Sequence, residues 1–216
     1  MTIVAWDIET CPQPLSAFTE AQRARYEQEL AYQRERRPEL SEDEASRLAR
    51  STHPFLGWIC CISAVSGTLR DGPNRPVSWT AETPDAEDGL LAAFWEAVAR
   101  FPRGTLWVTF NGKRFDVPFV EARSAQHGIA PSRADLTNTY PYRHRPHADL
   151  ARLWPQHYAL ADLCELLGIA SPKARLDGSQ VARCVADGRI DEVSAYCERD
   201  AVSTFECLRR VPYVLD

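Results

Sequence analysis

The sequence predicts an α/β or α+β sandwich in which helices cover a mixed sheet, and three observations carry that reading. The chain opens on an almost continuous apolar run, its strand-like segments come early while its helical segments come late, and no internal repeat divides it.

Ile3 to Ile8 reads Ile-Val-Ala-Trp-Asp-Ile, which suits a central strand covered on both faces. From Glu20 to Arg50 the composition changes: 15 of 31 residues are charged, 8 acidic and 7 basic, with few apolar positions at regular spacing. That stretch predicts a solvated helical or loop insertion at about residues 13–56, either decorating the domain or forming a lid over substrate. Gly57 to Val65 is a second apolar run, and Val77 to Thr80 a shorter strand. Asp85 to Phe101 carries Leu90, Leu91, Phe94, Trp95 and Val98 at helical spacing, with acids first and Arg100 last, as the helix dipole prefers. Leu106 to Phe110 is the next strand, ended by the turn signal Asn111-Gly112. Helical stretches follow at Phe115 to His127, Tyr158 to Leu167, Ser179 to Ala186 and Glu192 to Arg210, with an irregular segment through Pro146.

Composition narrows the class. The 216 residues are 44% hydrophobic and 25% charged, with net charge −5, which predicts one globular domain over residues 1–216. At this length roughly 70% of the unfolded chain's surface can be buried, so packing alone can make a core. No run approaches the ~18 apolar residues of a membrane span. Met1 to Glu9 lacks a basic segment followed by an apolar one, and the seven cysteines form no Cys-x-x-Cys pair, so a reducing, cytoplasmic address is expected.

The informative residues are acids where the apolar pattern places the interior. Asp7 interrupts the first strand, and Glu9, two residues on, shares its face. Asp116 follows the strand at Leu106 by a short turn. In the last helix, Val193, Tyr196, Cys197, Asp200, Ala201, Thr204, Phe205 and Leu208 make the inward stripe, so Asp200 lies within it and Tyr196 one turn before. A buried, unpaired carboxylate takes a proton or finds a cation. Lys113 and Arg114 are the basic residues near these acids within a motif, and Arg199 points off the stripe. Two divalent cations would neutralise four acids, and hard oxygen ligands suit Mg²⁺ or Mn²⁺. Paired ions roughly 3.5–4 Å apart serve phosphodiester cleavage. Any one acid alone is more often a helix cap or an ion-pair partner.

Three segments add sequence context. Trp6-Asp7-Ile8-Glu9-Thr10 resembles the first motif of the DEDD 3′–5′ exonucleases, Asn111-Gly112-Lys113-Arg114-Phe115-Asp116 their second, and Tyr196-Cys197-Glu198-Arg199-Asp200 the Tyr-x-x-x-Asp third motif of the tyrosine subgroup. The nearest likeness is to stand-alone exonucleases related to the proofreading domain of family B DNA polymerases, with which His147-Ala148-Asp149-Leu150 and Gly178 with Val181 also agree. The resemblance implies a ribonuclease H-like α/β fold with a five-stranded mixed sheet flanked by helices. It implies Asp7, Glu9, Asp116 and Asp200 as ligands of two divalent cations, Mg²⁺ or Mn²⁺, with Tyr196 orienting the attacking water. The implied reaction is hydrolysis from the 3′ end of a nucleic acid, single-stranded DNA being expected, with release of mononucleotides. Since the sequence ends sixteen residues after Asp200, a separate exonuclease is expected rather than part of a polymerase.

Thr10, Asn111, Phe115 and Asp149 are candidates for substrate contact. Phe115 could stack on terminal bases or serve as a core aromatic, Asn111 could touch a sugar or phosphate or only make a turn, and Asp149 could support the acids or cap a loop. From Lys113 to Arg152 the chain holds 7 basic and 4 acidic residues, and Tyr140, Tyr142, His144 and His147 interleave with the arginines. That pattern fits a single-strand groove as well as an ordinary Arg-rich surface loop. A zinc site from His144, His147, His157 and Cys164 matches no standard spacing. Two further readings compete: a binding module that keeps the fold without turnover, and an RNase H-like endonuclease.

Overall fold

The computed structural model describes residues 1–170, 176 and 178–215. Strand β1 (Ile3–Pro12) runs antiparallel to β2 (Gly57–Thr68) and parallel to β5 (Leu106–Thr109), which runs parallel to β6 (His147–Asp149). The outer edge of β2 carries both β3 (Gly72–Pro73) and β4 (Val77–Thr80). The mixed sheet therefore has six strands, not five.

The extra pairings are short. β3 is two residues long and β6 is three, with His147 and Asp149 in its sequence, so neither carries the apolar alternation that marks a strand. β6 is nevertheless fully buried because its polar groups are bonded internally. His147 Nδ1 donates to the Leu136 carbonyl at 2.8 Å, and Nε2 accepts from the Thr109 hydroxyl at 2.9 Å. β1 continues past Ile8 to Pro12, longer than the apolar run alone suggests.

Side chains of β1 alternate between two cores. Val4, Trp6 and Ile8 face α3 (Glu87–Ala99) and α4 (Asp116–Gln126), packing with Phe94, Trp95 and Val117. Ile3 and Ala5 face α5 (Leu160–Leu166) and the C-terminal half of α7 (Ile190–Arg210), packing with Leu163, Phe205 and Leu208. A short helix, α6 (Val181–Ala186), precedes α7. At the junction of α3, α4 and β2, the fully buried Glu87 carboxylate accepts the Ile59 amide at 2.7 Å and the Arg123 guanidinium at 3.0 Å. This bonded pair fixes the seat of α4, the helix that begins with Asp116.

The charged stretch forms two helices, α1 (Glu20–Arg36) and α2 (Glu42–Ser51), each opened by a capping box at Thr19 and Ser41. Leu30, Ala45 and Ala49 bury a small core of their own. The pair is tied to β1, because Thr10 Oγ1 donates to the Ser51 carbonyl at 2.7 Å and Arg50 donates to the Gln13 carbonyl at 2.8 Å. Among the described residues no helix is long and apolar enough to cross a membrane.

Burial depresses the His147 imidazole to about 3, against 6.5 for the free group. The folded state holds it neutral, so its contribution is complete above pH 6.5 and is lost as pH falls from there toward 3. We expect acid to destabilise the wild type more steeply than His147→Gln between pH 6.5 and 4.5 in urea denaturation. Parallel pH profiles for the two proteins would contradict this.

Candidate active site

The site lies where β1 outlasts its neighbour. β5 pairs with β1 only from Ile3 to Ala5 and ends at Thr109, so the Ile8 amide has no ladder partner on that side. Asp116, at the start of α4, fills the gap by accepting Ile8 N–H on Oδ1 at 3.1 Å. Asp7 and Glu9 continue the face of Ile3 and Ala5 and so turn toward α7. Directly after Glu9 the register with β2 slips, Glu9 facing Cys61 and Thr10 facing Ile59. A bulge of this kind bends a strand and re-aims its side chains, as strands beside active sites often do.

The turn before Asp116 is built from the residues of its motif. Asn111 takes φ +62, and a Cβ at Gly112 would lie 2.4 Å from the Thr109 side chain, so only glycine fits there. The buried Asp149 carboxylate accepts the amides of Asn111 at 2.7 Å, Lys113 at 3.1 Å and Ala151 at 3.1 Å. Asp149 thus holds the turn that delivers Asp116. Phe115 is half-buried against Phe119, ring centroids 5.5 Å apart. Asn111 is exposed at the turn, and the Thr10 hydroxyl is taken by Ser51.

The acids converge. Oxygens of Asp7 and Glu9 and the sulfur of Cys197 lie within 4.8 Å of one another. The Cys197 thiol sits 3.5 Å from Asp7 Oδ2, a contact that sequence reading treated only as core packing. Burial first, then the charges of Asp116, Glu9 and Asp200, raise the Asp7 carboxyl well above its usual value. Burial and Asp200 do the same to Glu9. Burial raises Asp116 to about 8 and Asp200 to about 6. Tyr196 is raised by burial and by Asp200, Glu9 and Asp7, so its hydroxyl keeps its proton in the midst of them.

Among the described residues none of these four acids forms an ion pair. Lys113 turns away, its ammonium donating to the Tyr140 carbonyl at 2.6 Å and the Arg143 carbonyl at 2.5 Å. Among the described residues, Asp200 Oδ1 is buried with no hydrogen-bond partner. Buried carboxylate oxygens that repel one another, one of them unpartnered, fit a hard divalent cation in their donor chemistry. The four-residue zinc set does not assemble, since both ring nitrogens of His147 are bonded within the protein and the Cys164 sulfur packs 3.6 Å from that of Cys207. Two surface clefts, one lined by Trp154, Tyr158 and Leu166 and the other by Gln22, Phe55 and Gln126, include none of the acids.

Residues 54–214 match the family described as predicted 3′–5′ exonucleases related to the exonuclease domain of PolB. The chain belongs to that family. The matched stretch takes in Asn111 to Asp116 and Tyr196 to Asp200 and begins after Asp7 and Glu9. The chain is also similar to the family B DNA polymerase from the hyperthermophilic archaeon Pyrobaculum calidifontis, at 19% identity and a TM-score of 0.65 over 98% of this chain and 24% of that one. It therefore spans about a quarter of the polymerase's length. Exonuclease I is matched at 15% identity and a TM-score of 0.44, over 100% of this chain and 42% of the other. No curated protein matches. The fold of this family member, a mixed sheet flanked by helices, is shared with that polymerase.

If the acids hold cations, millimolar Mg²⁺ or Mn²⁺ raises the melting temperature, by the equivalent of about 2.7 kcal/mol at a hundredfold excess over Kd. Asp200→Asn is expected to melt higher than wild type in chelator at pH 8, where Asp200 is charged, and to lose the response to metal. An undiminished metal response in Asp200→Asn would contradict the assignment.

Proposed function

We propose that this protein is a metal-dependent 3′–5′ exonuclease acting as one domain, with Asp7, Glu9, Asp116 and Asp200 as ligands of two divalent cations and Tyr196 as the residue that orients water. The observation that carries the reading is the convergence of uncompensated carboxylates from β1, α4 and α7 around one tyrosine hydroxyl. Membership in the PolB-related family supports the direction of attack. The proposed substrate is a nucleic acid with a free 3′ end, in the first place single-stranded DNA, and the product a mononucleotide.

When bound, the cations supply the positive charge that lowers the pKa of water and stabilises a departing 3′ oxygen. The chain's own contribution is position. Asp149 and Gly112 shape the turn that sets Asp116 beside β1. Tyr196, one helical turn before Asp200, keeps its proton at neutral pH and holds water by hydrogen bonding instead of acting as a base. Phe115 stands half-buried at the same turn, where an aromatic face can meet the terminal base. The Thr10 hydroxyl serves the strand–helix junction and leaves only its backbone and methyl group for substrate.

With Mg²⁺ or Mn²⁺, a 5′-labelled oligonucleotide should give a ladder that shortens from the 3′ end, and a circular strand should stay intact. Asp7→Ala should abolish the ladder, and Tyr196→Phe should slow it roughly 10²–10⁴-fold, the range for loss of a proton-handling side chain, while metal binding by calorimetry persists. Retained degradation in Asp7→Ala refutes the proposal. Cleavage of the circle would favour an endonuclease, and absence of both turnover and metal binding a binding module.

A further inference from the structure

Lys113, three residues before Asp116, joins the acid-bearing turn to a second turn whose chemistry the acids do not use. Tyr140-Pro141-Tyr142-Arg143 closes on itself, the Arg143 amide donating to the Tyr140 carbonyl at 3.4 Å. Tyr142 is 79% exposed and Tyr140 64%, and no large hydrophobic side chain among the described residues is more exposed than Tyr142. Exposed aromatics on a loop are ordinarily mobile, yet this turn is clamped. The Lys113 side chain, only 5% exposed, places its ammonium between the Tyr140 and Arg143 carbonyls at 2.6 and 2.5 Å.

Burying a lysine costs free energy, and burial does pull the Lys113 ammonium below its usual value. The return on that cost is a fixed distance between two features. Lys113 lies in the turn that delivers Asp116, so the aromatic pair is tied to the acid site by one side chain and three residues of backbone. Arg143 on the turn and Arg114 next to Lys113 are both exposed and, among the described residues, form no ion pair, which leaves their charge for phosphates.

We propose that Tyr140 and Tyr142, held by Lys113 and flanked by Arg114 and Arg143, form a stacking platform for unpaired bases of a single-stranded nucleic acid whose 3′ end lies among the acids. The proposal rests on the exonuclease reading for what occupies the acid site. Its chemistry is that of sequence-tolerant single-strand sites: aromatic faces for bases and cations for the backbone. A duplex would not satisfy it, because paired bases keep their faces stacked on one another. The pre-set turn lowers the ordering cost that binding would otherwise bear.

Fluorescence anisotropy in chelator, where cleavage is suppressed, tests the platform directly. The probes are a labelled oligothymidylate and an abasic strand of equal length. The wild-type chain should prefer the base-bearing strand. Tyr142→Ala should weaken binding of that strand roughly 5- to 150-fold, the equivalent of ~1–3 kcal/mol per stacked base, and leave abasic binding as it was. Tyr142→Phe, which keeps the ring, should restore the preference. Equal melting temperatures would show that these exposed substitutions leave the fold intact. No preference for bases in the wild type, no detectable wild-type binding, or an undiminished preference in the Tyr140→Ala, Tyr142→Ala double variant would overturn the platform. Base-dependent binding without any 3′ degradation in Mg²⁺ would sink the exonuclease reading and leave the platform standing, while 3′ degradation without base-dependent binding would do the reverse.

Discussion

Mutual repulsion among carboxylates inside the protein is the constraint around which the rest of this structure is arranged. Asp7 and Glu9 come from β1, the strand paired with β2 on one side and β5 on the other, Asp116 from the start of a helix seated by a buried ion pair, and Asp200 from the middle of a 21-residue helix. None of these elements can yield without opening a core. Each acid by itself would relax outward or find a base. Held together they stay raised above the ordinary carboxylate range, which stores an affinity for positive charge in the packing on both faces of the sheet.

Two kinds of support keep that arrangement in place. The Glu87 to Arg123 pair acts through α4, whereas Asp149 acts through backbone amides of the turn before α4. Asp149 has the amides of Asn111, Lys113 and Ala151 as partners, so its carboxylate is spent on geometry. The contrast with Asp200, whose Oδ1 has no partner among the described residues, separates an acid that shapes the site from one that remains available within it.

Much of this was legible in the sequence, for stated reasons. β1 and α7 are marked by apolar periods long enough to register, and the acids stand out because they break those periods at Asp7 and Asp200. The turn at Asn111-Gly112 was legible as a turn; that it requires φ +62 and a missing Cβ was not, because the clash is with Thr109, a neighbour only in the folded chain. β6 escaped notice since its burial depends on His147 finding Leu136 and Thr109, partners that no local pattern reveals. The charged stretch was read as one solvated insertion. Its small separate core follows from alanines at Ala45 and Ala49, which carry little hydrophobic signal. The sequence marks Lys113 as a base near the acids and as the start of a basic segment, but not where its ammonium goes, which is to carbonyls on another loop.

That placement bears on the net charge of −5, which is unfavourable for the proposed grip on a polyanion. A chain with an acidic surface cannot rely on broad electrostatic attraction to hold nucleic acid. It needs contacts that do not depend on net charge, together with a few cations placed where phosphates pass. In the proposed platform, the aromatic faces of Tyr140 and Tyr142 meet the first need and the exposed Arg114 and Arg143 the second. In that proposal the buried lysine reconciles the two: its ammonium is committed to the Tyr140 and Arg143 carbonyls and not to a phosphate, and it gives the aromatic turn a fixed shape.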